Sequence, residues 1–336
     1  MSIWVYLLRR LSILPAILLG LYTIIFFLSH VVPADPARVM AGEGASEEIV
    51  QRIAAEYDLD KPLVVQYFLN LGRVLKGDFG KSIHTWRPVS QDLRQFFPAT
   101  VELALVSMVL AVLLGCLLGI VSAVYRGKLF DIVASGFSIF WLAIPRFWLG
   151  IILQIGLCLA AHGLMPQGGR INSLVGFRPI TGFYILDSLI VGNWPALGSS
   201  LRHIVLPAFT LGITSLGLFS RLTRTSLLNT LQDDYVRTAR AVGHKERSVI
   251  WHAFRNVLIP IVTIMGMQFG FLLGGTVAVE TVFDWPGLGL YAAQSALTAD
   301  YPAIIALTML FGVIRMVFNL LADLSYFVLD PRIRQK

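Results

Sequence analysis

The chain has 336 residues, of which 56% are hydrophobic and only 14% charged, with a net charge of +7 and a mean hydropathy of +0.72. Soluble proteins carry about 25% charged residues, so this chain has too few to cover a surface in water. The composition argues against a soluble domain. The Lys and Arg residues fall in short clusters between apolar runs, which argues against a nucleic-acid-binding stripe.

Six apolar stretches approach or exceed the roughly 20 residues that a helix needs to cross the hydrocarbon core of a bilayer. They predict an all-α polytopic membrane protein with about six transmembrane helices. In chain order the predicted spans are residues 11–31, 99–124, 132–161, 203–220, 257–282 and 302–329. Cys116 and Cys158 both fall inside these spans, so neither a loop disulfide nor a cysteine-based metal site is predicted.

The placement of Lys and Arg in short loops predicts the orientation of the spans. Residues 221–256 hold seven Lys and Arg residues, whereas the loop 283–301 holds none. If Arg9 and Arg10 are cytoplasmic, the segment 221–256 and the basic C-terminal tail lie on the same side. The sequence therefore predicts that both termini are cytoplasmic.

These assignments divide the chain into three regions. They are an uncleaved N-terminal anchor helix at 1–31, an outer loop with short helices at 32–98, and a core at 99–336 that contains five spans and the cytoplasmic segment 221–256.

The first outer loop shows two helical signals. Ser46 precedes two glutamates and an amphipathic pattern, which predicts a capped helix, and Pro62 opens a second helix that Gly77 closes. The later outer loop, residues 162–202, is rich in Gly, Pro and Asn and shows no clear periodicity. We predict that it is irregular.

The sequence contains no motif that supports catalysis. The tripeptide GKS at 80–82 resembles the end of a phosphate-binding loop, but Leu75 stands where that motif requires its first glycine. His244 and His252 do not form an H-E-x-x-H pair, and no G-x-S-x-G elbow occurs. We therefore predict no catalytic residue and no metal site.

The cytoplasmic run DDYVRTARAVGHKERSVIWHAFRNVLIP at 233–260 indicates two short helices joined at a glycine. Asp233 or Asp234 suits the N-terminal cap of the first helix, and Gly243 suits its left-handed end. The small side chain of Ala239 leaves room for another surface to approach. Periodicity alone leaves open an ordinary solvated loop with interfacial helices.

This run resembles the cytoplasmic coupling motif of ABC-transporter permeases. The form is that of the dipeptide, oligopeptide and nickel permease family, D-Y-[IV]-R-T-A-R-A-x-G followed by H-A-x-R-N and a proline, and it looks closest to the dipeptide-permease B-type subunit. Of the broader pattern E-A-A-x-x-x-G, only Ala239 and Gly243 match. Further family-like motifs are LLRRL near the start, HVVPADP at 30–36, LDKPL at 59–63, GDFGKS at 77–82, PATVELA at 98–104, ETVFDWPGLG at 280–289 and DPRIR at 330–334.

The resemblance implies a type I ABC importer permease in which a coupling helix seats in a groove of an ATPase subunit. It assigns ATPase coupling to the residues that match the motif, with Arg237 and Arg240 expected to pair with acidic groups on the partner. The expected coupling residues are Asp234, Tyr235, Arg237, Thr238, Ala239, Arg240, Gly243, His252, Arg255 and Asn256.

The resemblance also implies the other components of the transporter. They are a second permease subunit that is a different chain, two ABC ATPase subunits, and an extracytoplasmic substrate-binding protein, assembled in a bacterial inner (plasma) membrane. ATP and Mg²⁺ would be used by the ATPase subunits, and no cofactor is expected in this chain. The implied substrates are dipeptides, oligopeptides or related small solutes, with nickel chelates, glutathione or opines as alternatives.

Charged residues in or beside the predicted spans form a second set of candidates, because a charge at the bilayer centre costs about 2.5 to 3.5 kcal/mol on insertion scales. Arg146 has two interpretations, a cation in the translocation path that meets a substrate carboxylate, or a structural partner for a neighbouring acid. Arg315 is a further candidate for the path. Glu280 and Asp284, near the outer membrane face, suit either binding-protein contact or interface anchoring.

Two other classes of function remain as alternatives. A secondary transporter driven by ion gradients would work as this chain alone and usually shows internal repeats, which are not evident here. An intramembrane hydrolase would need a paired nucleophile and base, which the sequence does not offer.

Overall fold

The computed structural model describes residues 3–31, 36–42, 44–160 and 165–329. Across these residues the chain is helical, and its only β-type pairing is an isolated bridge between Lys81 and Pro88. The all-α prediction is confirmed. The tail 330–336, with its basic residues and the DPRIR motif, lies outside the described residues, as does most of the HVVPADP motif.

The described helices follow one another with short connections. In chain order they are α1 (Ile3–Val31), α2 (Pro36–Ala41), α3 (Glu47–Glu56), α4 (Leu63–Leu75), α5 (Val89–Val124), α6 (Leu129–Ala143), α7 (Arg146–Leu153) with a π-helical continuation (Gln154–Ala160), α8 (Tyr184–Val191), α9 (Trp194–Thr230), α10 (Asp234–Ala241), α11 (Glu246–Gly274), α12 (Thr276–Val282), α13 (Leu288–Leu297) and α14 (Tyr301–Leu329).

Five of these helices, α1, α5, α9, α11 and α14, are long and apolar enough to cross a bilayer. The α6–α7 pair, bent by 103°, is a sixth if the two helices are counted as one broken span. The number of spans agrees with the sequence prediction.

The third predicted span, residues 132–161, is not one straight helix. It breaks where Ile144, at φ −83° and ψ 128°, precedes Pro145. A proline ring clashes with a helical conformation at the preceding residue, so α6 ends there and α7 starts in a new direction. The prediction of a continuous span overlooked this local rule.

The fifth predicted span, residues 257–282, is also interrupted. Helix α11 ends at Gly274, Gly275 adopts φ −93° and ψ 3°, and α12 begins at Thr276. Two successive glycines have low helix propensity, which explains why the break falls here. Only α11 is therefore a full span, and α12 is a separate short helix.

The other predicted boundaries were too narrow, because polar ends of the helices extend beyond the apolar run. Helix α9 covers 37 residues rather than 203–220, and α5 starts at Val89, so the predicted boundary at 98/99 falls inside a helix. In the loop 162–202, the described residues 165–183 are irregular, and α8 and the start of α9 make up most of the rest. Asn193 caps α9, since its side-chain oxygen accepts from the Ala196 amide at 3.0 Å.

The loop after α1, predicted to be an outer loop, folds onto the adjoining ends of α1 and α14. Helices α3 and α4 form where predicted, although the Ser46 side chain makes no capping hydrogen bond. Tyr22 and Phe26 of α1 are buried with Val74 of α4 and Ile305 of α14. The Tyr22 hydroxyl donates to the Tyr67 carbonyl at 3.0 Å, which fixes α4 against α1.

Helices α5 and α9 form the centre of the core, and glycines bring them into close contact. A Cβ on Gly119 would stand 2.6 Å from both the Ser220 carbonyl oxygen and the Thr223 Cβ, and one on Gly115 would stand 2.8 Å from the Leu216 carbonyl oxygen. The spacing Gly115-x-x-x-Gly119 is typical of transmembrane helices whose backbones touch. Together α5 and α9 form the framework from which the segment after Thr230 extends.

Candidate coupling surface and translocation path

Helix α10 follows α9 after a short turn and is the first of the two cytoplasmic helices that the sequence predicted. Asp233 occupies its N-cap position with an extended backbone, but its side chain makes no capping bond. The chain then turns at Gly243, which adopts φ +90° as predicted. Left-handed backbone favours glycine, so this residue sets the angle between α10 and α11.

Three kinds of contact hold α10 against the start of α11. Val236 of α10 is 1% exposed, as is Val249 of α11. The Asn256 side-chain amide donates to the Tyr235 hydroxyl at 2.8 Å. Arg240 donates to the Glu246 carboxylate through Nη2 at 2.7 Å and Nε at 3.2 Å, and this bond raises the pKa of Arg240 above its ordinary value. The two helices therefore form one packed unit.

A concave surface of about 480 Å³ lies between α10 and α11, and we call it the coupling cavity. Its lining combines apolar and polar side chains from both helices. The lining residues are Tyr235, Val236, Ala239, His244, Val249, His252, Arg255 and Asn256. The structure thus brings together five of the residues predicted for coupling, Tyr235, Ala239, His252, Arg255 and Asn256.

The remaining predicted coupling residues lie around this cavity rather than in its lining. Asp234, Arg237 and Thr238 are exposed, and Arg237 lies 3.8 Å from Asp234. Arg240 is already paired with Glu246 inside the chain, so it is less available to a partner than Arg237. Pairing of either arginine with a partner subunit stays a prediction.

Arg146 lies at the start of α7, where the third span bends. Its Nε donates to the Thr214 hydroxyl at 3.0 Å, and its Cζ stands 5.3 Å from the centroid of the Phe271 ring. A Cβ placed on Gly275 would lie 2.6 Å from Arg146 Nη1, so the guanidinium reaches the end of α11. No ion pair to Arg146 occurs among the described residues.

Arg315 lies at the midpoint of α14, and its side chain is exposed in the isolated chain. It lines a groove of about 550 Å³ together with Phe271, Gly274 and Gly275 of the α11 end. The groove also borders α1 through Leu21. Arg146 is not part of this lining, but its guanidinium lies beside Phe271 and Gly275, which are.

Glu280 occupies a buried position in α12 and is 0% exposed. Its carboxylate accepts from the Thr100 hydroxyl at 2.8 Å and from the backbone amides of Gly289 and Leu290 at 2.7 and 3.1 Å. These bonds join α12 to α5 and α13. The geometry supports a structural role in the isolated chain and leaves the carboxylate no open surface.

Asp284 contrasts with Glu280, because its side chain is exposed in the turn after α12. Its backbone has φ +45°, and the next residue, Trp285, is buried and donates from Nε1 to the Ala99 carbonyl at 2.9 Å. Of the two acids predicted near the outer face, Asp284 is the one available to a second protein.

Two ion pairs that the sequence analysis missed join the core helices. Arg170 of the outer loop pairs with Glu102 of α5 at 2.5 Å, and both are buried. Arg224 of α9 pairs with Asp131 of α6 at 2.7 Å. A charged residue inside or at the edge of an apolar run was the available signal, but sequence alone did not indicate the partners.

Comparisons with known proteins show the family of the chain. Residues 93–335 match the family described as "Binding-protein-dependent transport system inner membrane component", and residues 3–104 match its N-terminal companion, "Binding-prot-dependent transport system membrane comp, N-term". The chain belongs to this family. It is therefore a multi-pass permease of an ABC import system that has partner subunits, and it is a transport subunit rather than an enzyme.

Relatives at substantial identity cover almost the whole chain. It is 40% identical to the probable D,D-dipeptide transport system permease protein of Escherichia coli K12, over 99% of this chain and 98% of the relative. It is 38% identical to the dipeptide transport system permease protein of the same strain, over 98% and 99%. It is 37% identical to the glutathione transport system permease protein of Salmonella choleraesuis, over 98% and 99%.

Proposed function

We propose that this permease carries dipeptides or related short peptides inward across the membrane, driven by ATP hydrolysis in partner subunits. The observation that carries the proposal is the coupling cavity. There, residues of the family motif from α10 and α11 lie together. The relatives named for dipeptide and D,D-dipeptide transport support the substrate class. Glutathione, itself a small peptide, is the alternative that the Salmonella relative favours.

The coupling mechanism follows from the packing of α10. The α10–α11 contacts make the unit stiff, and α11 continues directly from the coupling cavity into a membrane span. A force applied to α10 by a closing ATPase is therefore transmitted to α11 rather than absorbed by a loop. ATP and Mg²⁺ would be bound by the ATPase subunits, whose movement α10 converts into opening and closing of the path.

The proposed assembly contains this chain, a second and different permease, two ATPases and an extracytoplasmic binding protein, in the inner membrane. Both termini and the coupling cavity face the cytoplasm. The concentration of Lys and Arg in residues 221–256 supports this orientation, since basic loops stay on the cytoplasmic side.

Reconstitution of the complete transporter in proteoliposomes tests the function. With ATP inside and binding protein outside, we expect uptake of radiolabelled Ala-Ala that requires both ATP and the ATPases. Glutathione, used as a parallel probe, separates the two substrate classes. Uptake of Ala-Ala by this chain alone under an ion gradient would instead establish a secondary transporter.

Cysteine labelling in intact cells tests the orientation separately. In a variant with Cys116 and Cys158 replaced by Ala, one new cysteine is introduced at Val242 or at Leu297, which are 74% and 88% exposed. A membrane-impermeant maleimide should label only the Leu297→Cys variant from outside. Labelling of Val242→Cys from outside would contradict the cytoplasmic placement of α10.

A further inference from the structure

We propose that Arg146 and Arg315 form a carboxylate-binding site in the translocation path, beside the last turn of α11. This inference rests on the proposed function, since it assigns the site to the terminal carboxylate of the transported peptide. It also identifies which permease residues hold that group during passage.

Arg146 has no anionic partner within the described part of the chain. Its hydrogen bond to Thr214 uses a neutral hydroxyl, and its guanidinium lies near the Phe271 ring. Both contacts fix the orientation of the side chain without neutralising its charge. Most of the donors on a guanidinium fork remain free to bind a planar anion.

The charge of Arg315 is less favourable in a bilayer than that of Arg146. It lies at the midpoint of a 29-residue membrane helix and is exposed in the isolated chain. No ion pair to it occurs among the described residues. A charge facing lipid at this depth is strongly unfavourable, so the side chain must meet a wet cavity or an anion.

Three buried acidic residues of the core already have partners other than these two arginines. Glu102 pairs with Arg170, Asp131 pairs with Arg224, and Glu280 accepts three hydrogen bonds. These carboxylates have their own partners and are not available to the two arginines. Among the described residues no carboxylate forms an ion pair with either arginine, so an anion from a ligand or a partner subunit would complete the site.

The space beside the arginines suits a small ligand. The groove that Arg315 lines has a volume of about 550 Å³, within the range of roughly 300 to 1,000 Å³ that holds small molecules. Gly274 borders it, and a Cβ there would meet no atom within 4 Å. The break between α11 and α12 thus leaves the groove open where Arg146 also reaches.

These features favour a peptide with a free carboxylate. A guanidinium binds a carboxylate through two parallel N–H···O bonds, and charge-assisted bonds of this kind are stronger than neutral ones. The Phe271 ring supplies an apolar wall in the same place. An acidic residue of the second permease subunit is the competing source of negative charge, and the experiment is designed to separate the two.

The test measures ATP-driven uptake of two probes, Ala-Ala and Ala-Ala amide, by the reconstituted complete transporter. The variants are Arg146→Gln and Arg315→Gln, with Arg146→Lys and Arg315→Lys to retain charge. Arg202→Gln serves as the control, because Arg202 is exposed at the outer part of α9. Each rate is divided by the wild-type rate for the same probe, which cancels the preference of the binding protein.

We expect each Gln variant to lower Ala-Ala uptake about tenfold, as for loss of one charge-assisted hydrogen bond, with partial recovery in the Lys variants. Uptake of the amide relative to wild type should change little. Stimulation of ATPase activity by the loaded binding protein should persist. The Arg202→Gln variant should match wild type with both probes.

Two outcomes would overturn the inference. Equal losses for both probes, together with loss of the second permease subunit on size-exclusion chromatography, would show that the arginines pair with that subunit. Wild-type uptake of Ala-Ala in both Gln variants would show that they do not contact the peptide. In either case, ATP-dependent uptake by the wild-type transporter would leave the proposed function intact, whereas its absence would contradict that function.

Discussion

The carboxylate of Asp131 accepts two hydrogen bonds from Arg224, at 2.7 Å from Nε and 2.8 Å from Nη2. The Ser122 hydroxyl and the Gly127 amide donate to the same carboxylate. This single group therefore joins α5, α6 and α9, near the end of α9 that leads into α10.

Asp131→Asn should destabilise the protein through this network. Breaking a fully buried ion pair costs roughly 3 to 5 kcal/mol, and because the Arg224 side chain is 30% exposed we expect about 2 kcal/mol. Thermal unfolding of the detergent-purified chain measures the effect. Arg224→Lys, which keeps the charge but loses the two-bond geometry, should have a smaller effect; equal stability of all three proteins would contradict this role.

Gly119→Leu should separate α5 from α9. A side chain at this position would meet the Ser220 carbonyl and Thr223 at 2.6 Å, and overpacking of this kind costs about 1 to 3 kcal/mol. The matched control is Gly136→Leu in α6, where a Cβ meets nothing within 4 Å. A fall in unfolding temperature for Gly119→Leu but not for Gly136→Leu is the expected result, and equal falls would argue against close packing.

Gly243→Val should abolish ATP-driven uptake while leaving the chain inserted in the membrane. The position has φ +90° and open surroundings, so the substitution acts by straining the backbone that sets the direction of α10. Gly192→Val is the matched control, since Gly192 ends α8 at φ +70° and is equally unobstructed. Both variants carry similar local strain.

Uptake measured at equal membrane abundance separates the two glycines. Gly192→Val should retain most of the transport and Gly243→Val should lose it. Normal uptake in Gly243→Val, or equal losses in both, would refute a specific coupling role for Gly243.

Glu280→Ala and Asp284→Asn should differ in their effect on thermal stability. Glu280→Ala leaves the Thr100 hydroxyl and two backbone amides without their acceptor, and one buried unsatisfied donor costs about 1 to 3 kcal/mol. We expect a clear loss of thermal stability. Asp284 is exposed, so Asp284→Asn should leave stability unchanged.

The affinity of the binding protein for the permease complex in nanodiscs is measured for the same two variants. If Asp284 contacts the binding protein, Asp284→Asn should weaken binding without lowering stability. A stable Glu280→Ala variant with weakened docking would instead assign the contact to Glu280.

The sequence was most informative where local chemistry alone determines structure. Gly243 was expected to be left-handed and is, and Pro62 and Gly77 were expected to bound the helix that became α4. The sequence was least informative about breaks inside apolar runs. Pro145 and Gly275 interrupt spans that hydropathy represents as continuous.

The same division applies to the charged residues. Arg146, Glu280 and Arg315 were recognisable as unusual because they lie in or beside apolar runs, yet their roles differ completely in the structure. Glu280 is buried with three donors, whereas Arg315 faces an open groove. Burial and hydrogen-bond partners depend on residues far apart in the chain, such as Thr100 and Glu280. A local sequence pattern does not show that such residues meet in space.

Composition and apolar run length by themselves predicted a multi-span membrane protein, because a bilayer requires long apolar helices, and the motif at residues 233–260 indicated the permease family. Only the tertiary structure decided which charges are paired, where spans bend, and that Arg146 and Arg315 reach the same helix end. The physical reason is that hydrogen bonds and ion pairs depend on distances between helices. These distances are set by the packing of all the helices together, which no single segment of the sequence specifies.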